Sequence, residues 1–230
     1  MSLQETKIEN LIQDGYPFQL KDYIKRGWEL FKADPVNLIL FGAILLLVGG
    51  LPAIFNSTWT SFISLLVAYP LAGGLFLYID KIAHREPRTF QDFFGGFAYF
   101  KDLVLASLGV NLLVGLGLLL LFVPGIYLAI AYTFVIPFIV LGGLPFWPSM
   151  ELSRRLITRN WLSFGLMALM CFMLVFLGAV FLFVGALVMV PFVYCIVFAA
   201  YEGIVEEQTE HFVELDDPVD GFQDETPTTF

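Results

Sequence analysis

The chain has 230 residues, of which 58% are hydrophobic, 17% are aromatic and only 14% are charged. Together with a mean hydropathy of +0.80, this composition excludes a water-soluble globular domain and predicts a polytopic membrane protein. The net charge of -9 belongs mainly to one end, because ten of the 21 acidic residues lie between Glu202 and Glu225. We therefore expect an acidic tail, and we do not expect nucleic acid as a partner.

Three segments have the apolar spacing that is typical of amphipathic helices lying in the membrane interface. The first runs from Phe18 to Lys32, the second follows a capping residue at Thr89, and the third has Pro148 in its first turn. Their predicted apolar faces include Leu20, Ile24, Trp28 and Phe31 in the first, and Phe90, Phe93, Phe94, Phe97 and Phe100 in the second. Residues 1 to 17 form a polar N-terminal segment that we expect to be loosely held.

Each amphipathic segment is followed by two apolar runs, so the sequence predicts an all-α protein with six membrane spans in three hairpins. The third span is the clearest, because Leu103 to Val123 has 21 residues. At ~1.5 Å per residue its length is ~31 Å, which matches a hydrocarbon core of ~30 Å. The predicted spans are 36 to 48, about 59 to 79, 103 to 123, 126 to 144, 160 to 183, and one ending near Tyr201. Turns are predicted at Gly49-Gly50-Leu51-Pro52, Val123-Pro124-Gly125 and Gly185.

These runs divide the chain into a polar segment, 1 to 17, a six-helix transmembrane domain, 18 to 203, and an acidic disordered tail, 204 to 230. The domain itself shows a threefold pattern of amphipathic helix, basic residue, span, turn and proline-containing span. The basic residues Lys32, Lys101 and Arg159 precede Pro70, Pro137 and Pro191 by 38, 36 and 32 residues. We interpret this pattern as an internal repeat.

The distribution of basic residues predicts the orientation of the chain in the membrane. All twelve Lys and Arg residues lie in the N-terminal segment, in the loop 80 to 102 or in the loop 145 to 160. By the positive-inside rule, both termini and the amphipathic helices then face the cytoplasm. The sequence predicts a multi-pass protein of the inner (plasma) membrane.

The predicted spans carry polar residues near the middle of the membrane, but no charged side chain. Ion-coupled transporters commonly keep a charged residue at that depth, so this absence argues against such a mechanism. The candidate polar site consists of Asn111, Tyr132, Thr133, Tyr69 and Tyr194. Pro70, Pro137 and Pro191 are candidate helix breaks, which would free backbone carbonyls to line a binding site. The alternative is that these residues only kink helices and form hydrogen bonds between them.

Basic residues near the ends of two amphipathic helices are candidate contacts for anionic lipid. They are Lys101, Arg154, Arg155 and Arg159. The alternative is that they only anchor the topology of the chain.

Residues typical of enzymes do not form a recognisable pattern. His84 and His211 are the only histidines, and neither has the spacing of a metal ligand. Cys171 and Cys195 fall in apolar runs, where a thiol behaves as a small hydrophobic group. The sequence also has no phosphate-binding loop or nucleophile elbow. We expect no catalysis, no cofactor and no metal.

A resemblance to a known family rests on VPGIYLAIAYTFVIPFIV, residues 123 to 140, and FWPSMELSRRLITRNW, residues 146 to 161. These stretches resemble the core of a poorly characterised family of bacterial six-helix integral membrane proteins. That family is similar to the membrane domain that precedes the catalytic barrel in some glycerophosphoryl diester phosphodiesterases. The resemblance implies an inner-membrane location and a fold built from helical hairpins. The barrel is absent, so phosphodiesterase activity is not implied.

These observations predict a non-enzymatic membrane protein that organises membrane or partner proteins through its cytoplasmic helices and its tail. The expected partners are membrane lipids and a cytoplasmic protein that captures the tail, where Phe212, Phe222 and Phe230 stand among acidic residues. The alternative function is a carrier or channel for a neutral or amphipathic small molecule. A continuous polar path lined by Asn111, Tyr132 and Thr133 would favour the alternative.

Overall fold

The computed structural model describes residues 3 to 55, 58 to 180 and 184 to 206, and these ranges are helical without any strand. Five helical stretches within them are long and apolar enough to cross a membrane. A sixth is added if two helices that meet at an angle of 99° near Asp34 count as one bent span. The prediction of an all-helical protein with several membrane-spanning helices is therefore confirmed at this level.

The chain forms ten α-helices within the described ranges, together with one 3-10 helix and a final π-helical turn. The first five are α1 (Leu3–Asp14), α2 (Leu20–Ala33), α3 (Pro35–Phe55), α4 (Thr58–Ala83) and α5 (Phe100–Leu120). The others are α6 (Phe122–Ala131), α7 (Val135–Val140), α8 (Phe146–Arg159), α9 (Trp161–Val180) and α10 (Val184–Tyr201). The 3-10 helix is Phe90–Tyr99, between α4 and α5, and the π-helical turn is Glu202–Glu206.

The long apolar helices divide into an inner and an outer group. In α4 and α10 more than half of the apolar stretch is buried, 56% and 61%, whereas α9 is only 22% buried. Aromatic rings join the inner helices, because Phe76 of α4 contacts Tyr194 of α10 with ring centroids 5.3 Å apart. Tyr201 contacts Phe138 of α7 in the same way, at 5.4 Å. The exposed apolar side chains of α5 and α9 are those that hydrocarbon would cover.

The helix α2 packs antiparallel along α10. Arg26, in the middle of α2, forms a two-pronged ion pair with Glu202, at 2.8 and 2.9 Å. Gly27 lies against the backbone of α10, where an added β-carbon would be 3.0 Å from the Cα atom of Ile196. Toward its end, the ring of Phe31 contacts that of Phe192 at 5.9 Å. The buried face of α2 is therefore one that contacts protein, while Trp28, predicted on the apolar face, stays 46% exposed.

The 3-10 helix packs antiparallel along α4 in the same way, from the Lys81–Asp92 ion pair at 2.9 Å to a close contact between Gly96 and the carbonyl oxygen of Pro70. Its period of three residues brings Phe93 and Gly96 onto one edge, both buried. Phe93 is stacked between Tyr78 and Phe41, at 3.8 and 4.2 Å. Of the five phenylalanines predicted to share one face, Phe93 is buried against protein, whereas Phe90, Phe94, Phe97 and Phe100 remain exposed.

The third amphipathic segment, α8, packs antiparallel along α6 and α7. Near its end, the hydroxyl of Thr158 lies 2.6 Å from that of Tyr127 in α6. In its middle, Ser153 contacts the connection between α6 and α7. At its start, the backbone N–H of Phe146 donates to Asp102, at the beginning of α5.

The N-terminal segment is folded, which corrects the prediction that it is loosely held. Ile8 and Leu11 of α1 are buried, and Glu9 pairs with Arg155 of α8 at 3.4 Å. The helix ends at Gly15, whose φ of +82° is a left-handed conformation that glycine adopts without steric cost. Burial of two apolar side chains against α8 explains why a mostly polar segment is ordered.

Ile204 and Val205, at the start of the predicted tail, are buried in the core. Residues 207 to 230, with the rest of the predicted tail, lie outside the described residues.

Two predicted turns have a different form. Gly49 to Pro52 continues α3, with Pro52 inside the helix. The reversal expected at Val123 to Gly125 occurs at Leu121, whose backbone is extended, and Pro124 lies in the first turn of α6. Glycines allow α5 and α6 to approach each other closely after this reversal, since a β-carbon at Gly117 would be 2.9 Å from the Cα atom of Gly125.

Candidate functional site

Two of the three prolines do not create the helix breaks that the sequence predicted, whereas the third, Pro137, follows a real interruption. Pro70 and Pro191 lie inside the continuous helices α4 and α10. Both are covered by glycines of neighbouring segments, Gly96 on the carbonyl of Pro70 and Gly42 on the ring of Pro191. A β-carbon added at Gly42 would be 2.9 Å from the Cδ atom of Pro191. The backbone beside these two prolines is therefore in contact with protein.

The interruption in the fourth span lies at Tyr132 to Phe134, just before Pro137. It leaves backbone groups of α6 and α7 without helical partners, and Ser153 of α8 binds two of them. Its hydroxyl donates to the carbonyl of Ala131 at 2.7 Å and accepts from the N–H of Phe134 at 3.2 Å. Ser153 is fully buried. This residue was missed in the sequence, where nothing distinguishes a serine that binds a distant backbone from one on a polar helix face.

Three of the five candidate polar residues lie together. The side-chain nitrogen of Asn111 donates to the carbonyl of Ser107 in its own helix at 2.8 Å. It also lies 3.5 Å from the hydroxyl of Tyr69, at the limit for a hydrogen bond. Tyr69 and Tyr194 are near enough to interact electrostatically. These residues bring together α5, α4 and α10.

The other two candidate residues, Tyr132 and Thr133, belong to the interruption near α8. The hydroxyl of Thr133 donates to the carbonyl of Ile130 at 2.7 Å, within its own turn. Tyr132 lies within the electrostatic range of Arg154 and Glu151. Within the described part of the chain, no hydrogen bond connects this pair to Asn111 or Tyr69.

Two of the three arginines of α8, Arg154 and Arg155, are paired with carboxylates. Glu151 binds Arg154 at 2.8 Å and Arg155 at 2.7 Å, and Arg155 also pairs with Glu9. The hydrogen bond from Arg154 holds the pKa of Glu151 below its usual range, so the carboxylate remains ionised near neutral pH. Two positive and two negative charges therefore meet at this cluster.

The four candidate lipid contacts do not form one site. Lys101 lies next to Asp102, whose carboxylate accepts the N–H of Phe146 at the start of α8. Arg159 ends α8, beside Gly15. The helix has 14 residues, so these two ends are separated by about 20 Å.

A hydrogen-bonded cluster around Asp34 was also missed in the sequence. Its carboxylate accepts from the hydroxyl of Tyr78 at 2.5 Å and from the amide of Asn37 at 3.0 Å. Arg88, before the 3-10 helix, approaches the same oxygen at 3.4 Å. Burial tends to raise the pKa of Asp34, but these hydrogen bonds outweigh it and hold the pKa below its usual value. Tyr78 and Arg88 are 44 and 54 residues from Asp34 along the chain. Local sequence patterns cannot indicate contacts at that separation.

A similar contact occurs at the start of two later spans, α5 and α9. Asp102, before the bulk of α5, accepts from Phe146 at 3.2 Å. Asn160, before α9, donates to the backbone carbonyl of Tyr16 at 3.2 Å. In all three cases a polar residue at or near the start of a long helix contacts the segment that leads into the 3-10 helix, α8 or α2.

Among the described residues, no group of three or more His, Cys, Asp or Glu side chains could hold a metal ion. Cys171 and Cys195 are both buried and free.

Comparison of the chain with models of protein families, with curated proteins and with solved structures finds no match.

Proposed function

We propose that this chain is a non-enzymatic integral protein of the inner membrane that organises partner proteins through its cytoplasmic surface and acidic tail. In this proposal both termini are cytoplasmic, as the distribution of basic residues indicates. The proposal includes kinship with the six-helix family that the sequence resembles. Its support is that residues 123 to 140 and 146 to 161, which carry the resemblance, pack on each other through Ser153.

The separation of the candidate polar residues is the observation that carries the proposal. A carrier with a single midplane path would need the amide of Asn111 and the hydroxyls of Tyr132 and Thr133 to meet. Instead Asn111 bonds toward Tyr69, while Thr133 bonds within its own turn. The backbone freed between α6 and α7 is bound by Ser153, so those groups are not free for a solute.

The proposal also includes three hairpin units, which we place at 20 to 83, 90 to 140 and 146 to 201. In each unit the amphipathic helix packs on the inner helix of the unit before it, and α2 packs on the inner helix of the last unit. The three junction residues follow the same cyclic order: Asp34 approaches Arg88, Asp102 binds Phe146, and Asn160 binds Tyr16. This agreement supports a closed ring of three related units.

The origin of the tail is held firmly, which supports a role in presenting it. Arg26 binds Glu202 with two hydrogen bonds, and the neighbouring Ile204 and Val205 are buried. Residues 207 to 230 carry no Lys or Arg and many acidic residues, so an anionic membrane surface would repel them. Apolar residues spaced along such a segment suit capture by a basic groove in a partner.

The test compares the full chain with a variant that ends at Glu206, both purified in native lipid and examined by mass spectrometry of the intact assemblies. We expect equal thermal stability and the loss of a bound protein from the truncated variant. A full-length control with Phe212, Phe222 and Phe230 replaced by Ser keeps the tail charge and should lose the same protein. An identical set of bound proteins in all three preparations would refute the proposal.

A carrier of neutral or amphipathic molecules is the second candidate, and it is favoured by the meeting of Asn111, Tyr69 and Tyr194. Proteoliposomes loaded with a mixture of small neutral metabolites would test it. Faster loss of one compound with the native chain than with Asn111→Leu, in vesicles of equal tightness, would support the carrier.

A further inference from the structure

The amide of Asn111 is exposed on the outer side of α5, near the middle of a predicted membrane span. It is the twelfth of the 21 residues of that helix. Its neighbours on the outside are apolar, since Leu108 is 40% exposed and Leu112 is 63% exposed. A carboxamide among side chains that face hydrocarbon is costly unless its polar atoms are paired.

Only one end of this amide is well paired inside the molecule. The donation to the carbonyl of Ser107, at 2.8 Å, fixes which atom is nitrogen, because a carbonyl can only accept. The Oδ1 atom therefore points away from Ser107. Across the residues that the structure describes, no hydrogen bond to this oxygen is formed. Because Asn111 is exposed, this acceptor belongs to a side chain on the surface of the bundle.

Gly115, one helical turn farther along, is not needed for close packing inside the bundle. A β-carbon added there would meet nothing within 4 Å. The other glycines of α5 differ. A β-carbon added at Gly109 would be 3.1 Å from the sulfur of Met150, and one added at Gly117 would be 2.9 Å from the Cα atom of Gly125. A small residue and an amide on one face allow close approach and hydrogen bonding of a second membrane helix.

The same face has the spacing of a helix-packing seam. Asn111, Gly115 and Leu119 follow one another at intervals of four residues. Such a row is the i±4 ridge along which two closely approaching membrane helices pack, and it places Asn111 on the contact line. Leu119 is 83% exposed, so the seam is open over its whole length.

The chemistry of the seam favours a second copy of the chain over another partner. Copies inserted in one membrane have the same orientation, so a twofold axis along the membrane normal brings α5 against α5 in parallel. Each residue near the axis then meets its own equivalent. An amide is both donor and acceptor, so it is complementary to itself, whereas a lipid chain offers no hydrogen bond.

We propose that the protein forms a homodimer through the outer face of α5, in which the Asn111 amides of the two protomers hydrogen-bond to each other and Gly115 allows the helices to approach. This dimer does not depend on the proposed tail function, because the tail is not part of the interface.

Cysteine crosslinking in native membranes tests the geometry. Gly115→Cys should give a disulfide-linked dimer on mild oxidation. Gly165→Cys is the matched control, because Gly165 also faces outward with nothing within 4 Å but lies on α9. The unmodified chain provides the background, since both its cysteines are buried. Equal crosslinking at both positions would overturn the proposal.

The role of Asn111 is tested by measuring the monomer–dimer equilibrium in bilayers, with single-molecule photobleaching over a range of protein-to-lipid ratios. Asn111→Leu should weaken dimerisation about tenfold, and Gly115→Leu should weaken it as well. Leu166→Ala on α9 should leave it unchanged. An unaltered equilibrium for Asn111→Leu would refute the dimer. So would a finding that the Asn111→Leu variant loses a bound lipid while its monomer–dimer equilibrium is unchanged.

Discussion

The side-chain amide of Asn160, at the end of α8, donates a hydrogen bond to the backbone carbonyl of Tyr16 across 144 residues of chain. The hydroxyl of Tyr16 in turn donates a hydrogen bond to the backbone carbonyl of Leu156 at 2.8 Å. Burial, with a smaller effect of Tyr23, raises the pKa of the Tyr16 hydroxyl, so it remains a neutral donor. Two hydrogen bonds thus hold the segment before α2 against the end of α8.

Tyr16→Phe should lower the free energy of unfolding by about 1 to 3 kcal/mol, because the buried carbonyl of Leu156 loses its donor. The thermal midpoint in detergent is the measurement. Tyr127→Phe is the matched control, since its hydroxyl bond to Thr158 is exposed and its loss should change stability much less. Equal losses in the two variants would contradict the importance of the hydrogen bond from Tyr16 to Leu156.

Gly96→Ala should destabilise the protein strongly, because the added methyl group would strike the carbonyl oxygen of Pro70 and the backbone at Gly73 and Gly74. Backbone atoms in two packed segments cannot move aside individually to make room for the methyl group. We therefore expect the free energy of unfolding to fall by about 3 kcal/mol. Gly165→Ala adds the same methyl group where nothing lies within 4 Å. A normal thermal midpoint for Gly96→Ala would show that the two segments separate easily.

Glu151→Gln should increase the retention of anionic lipid, because it frees Arg154 and Arg155 from their shared carboxylate. Lipid that stays bound through detergent purification is the quantity to measure, by mass spectrometry. Glu86→Gln removes an equal charge from the exposed loop before the 3-10 helix and serves as control. If both variants retain lipid like the native chain, the arginines of α8 are not lipid contacts.

Asp34→Asn should destabilise the protein at neutral pH but much less in acid. The folded state holds the pKa of Asp34 below its ordinary value. A lowered folded pKa means that the ionised group contributes stability above that value, and that this contribution is lost as pH falls through the folded pKa. The difference in thermal midpoint between the native chain and Asp34→Asn should therefore be constant near pH 7 and shrink below about pH 4.

Glu29→Gln, at an exposed position of α2, is the control for that series and should show little difference at any pH. A gap between the native chain and Asp34→Asn that persists unchanged in acid would contradict the role of the ionised carboxylate.

The proposed orientation predicts which added cysteines react with a thiol reagent that cannot cross the membrane. Val123→Cys should react from outside in cells stripped of their wall, since Val123 is 74% exposed beside the reversal at Leu121. Glu86→Cys should not react until the membrane is opened. Glu86 is preferable to Arg88 as the cytoplasmic position because Arg88 contacts Asp34. Labelling of Glu86→Cys in intact cells would reverse the orientation.

The sequence by itself determined the features that depend on local composition and short spacings. The apolar runs predicted helices long enough to cross a membrane, because that property depends only on length and hydropathy. Thr89 was predicted as a cap for the same reason, and its N–H indeed bonds to the carboxylate of Asp92, three residues on, at 2.6 Å.

The tertiary structure alone decided which groups meet across the bundle. Pro70 and Pro191 carry the same local signature whether their backbone lines a cavity or contacts a glycine, and only the approach of Gly96 and Gly42 distinguishes the two cases. Ser153 bonds to α6 and α7, and Asn160 to Tyr16, through packing between distant segments. Such contacts depend on crossing positions of helices, which the periodicity of a single helix does not contain.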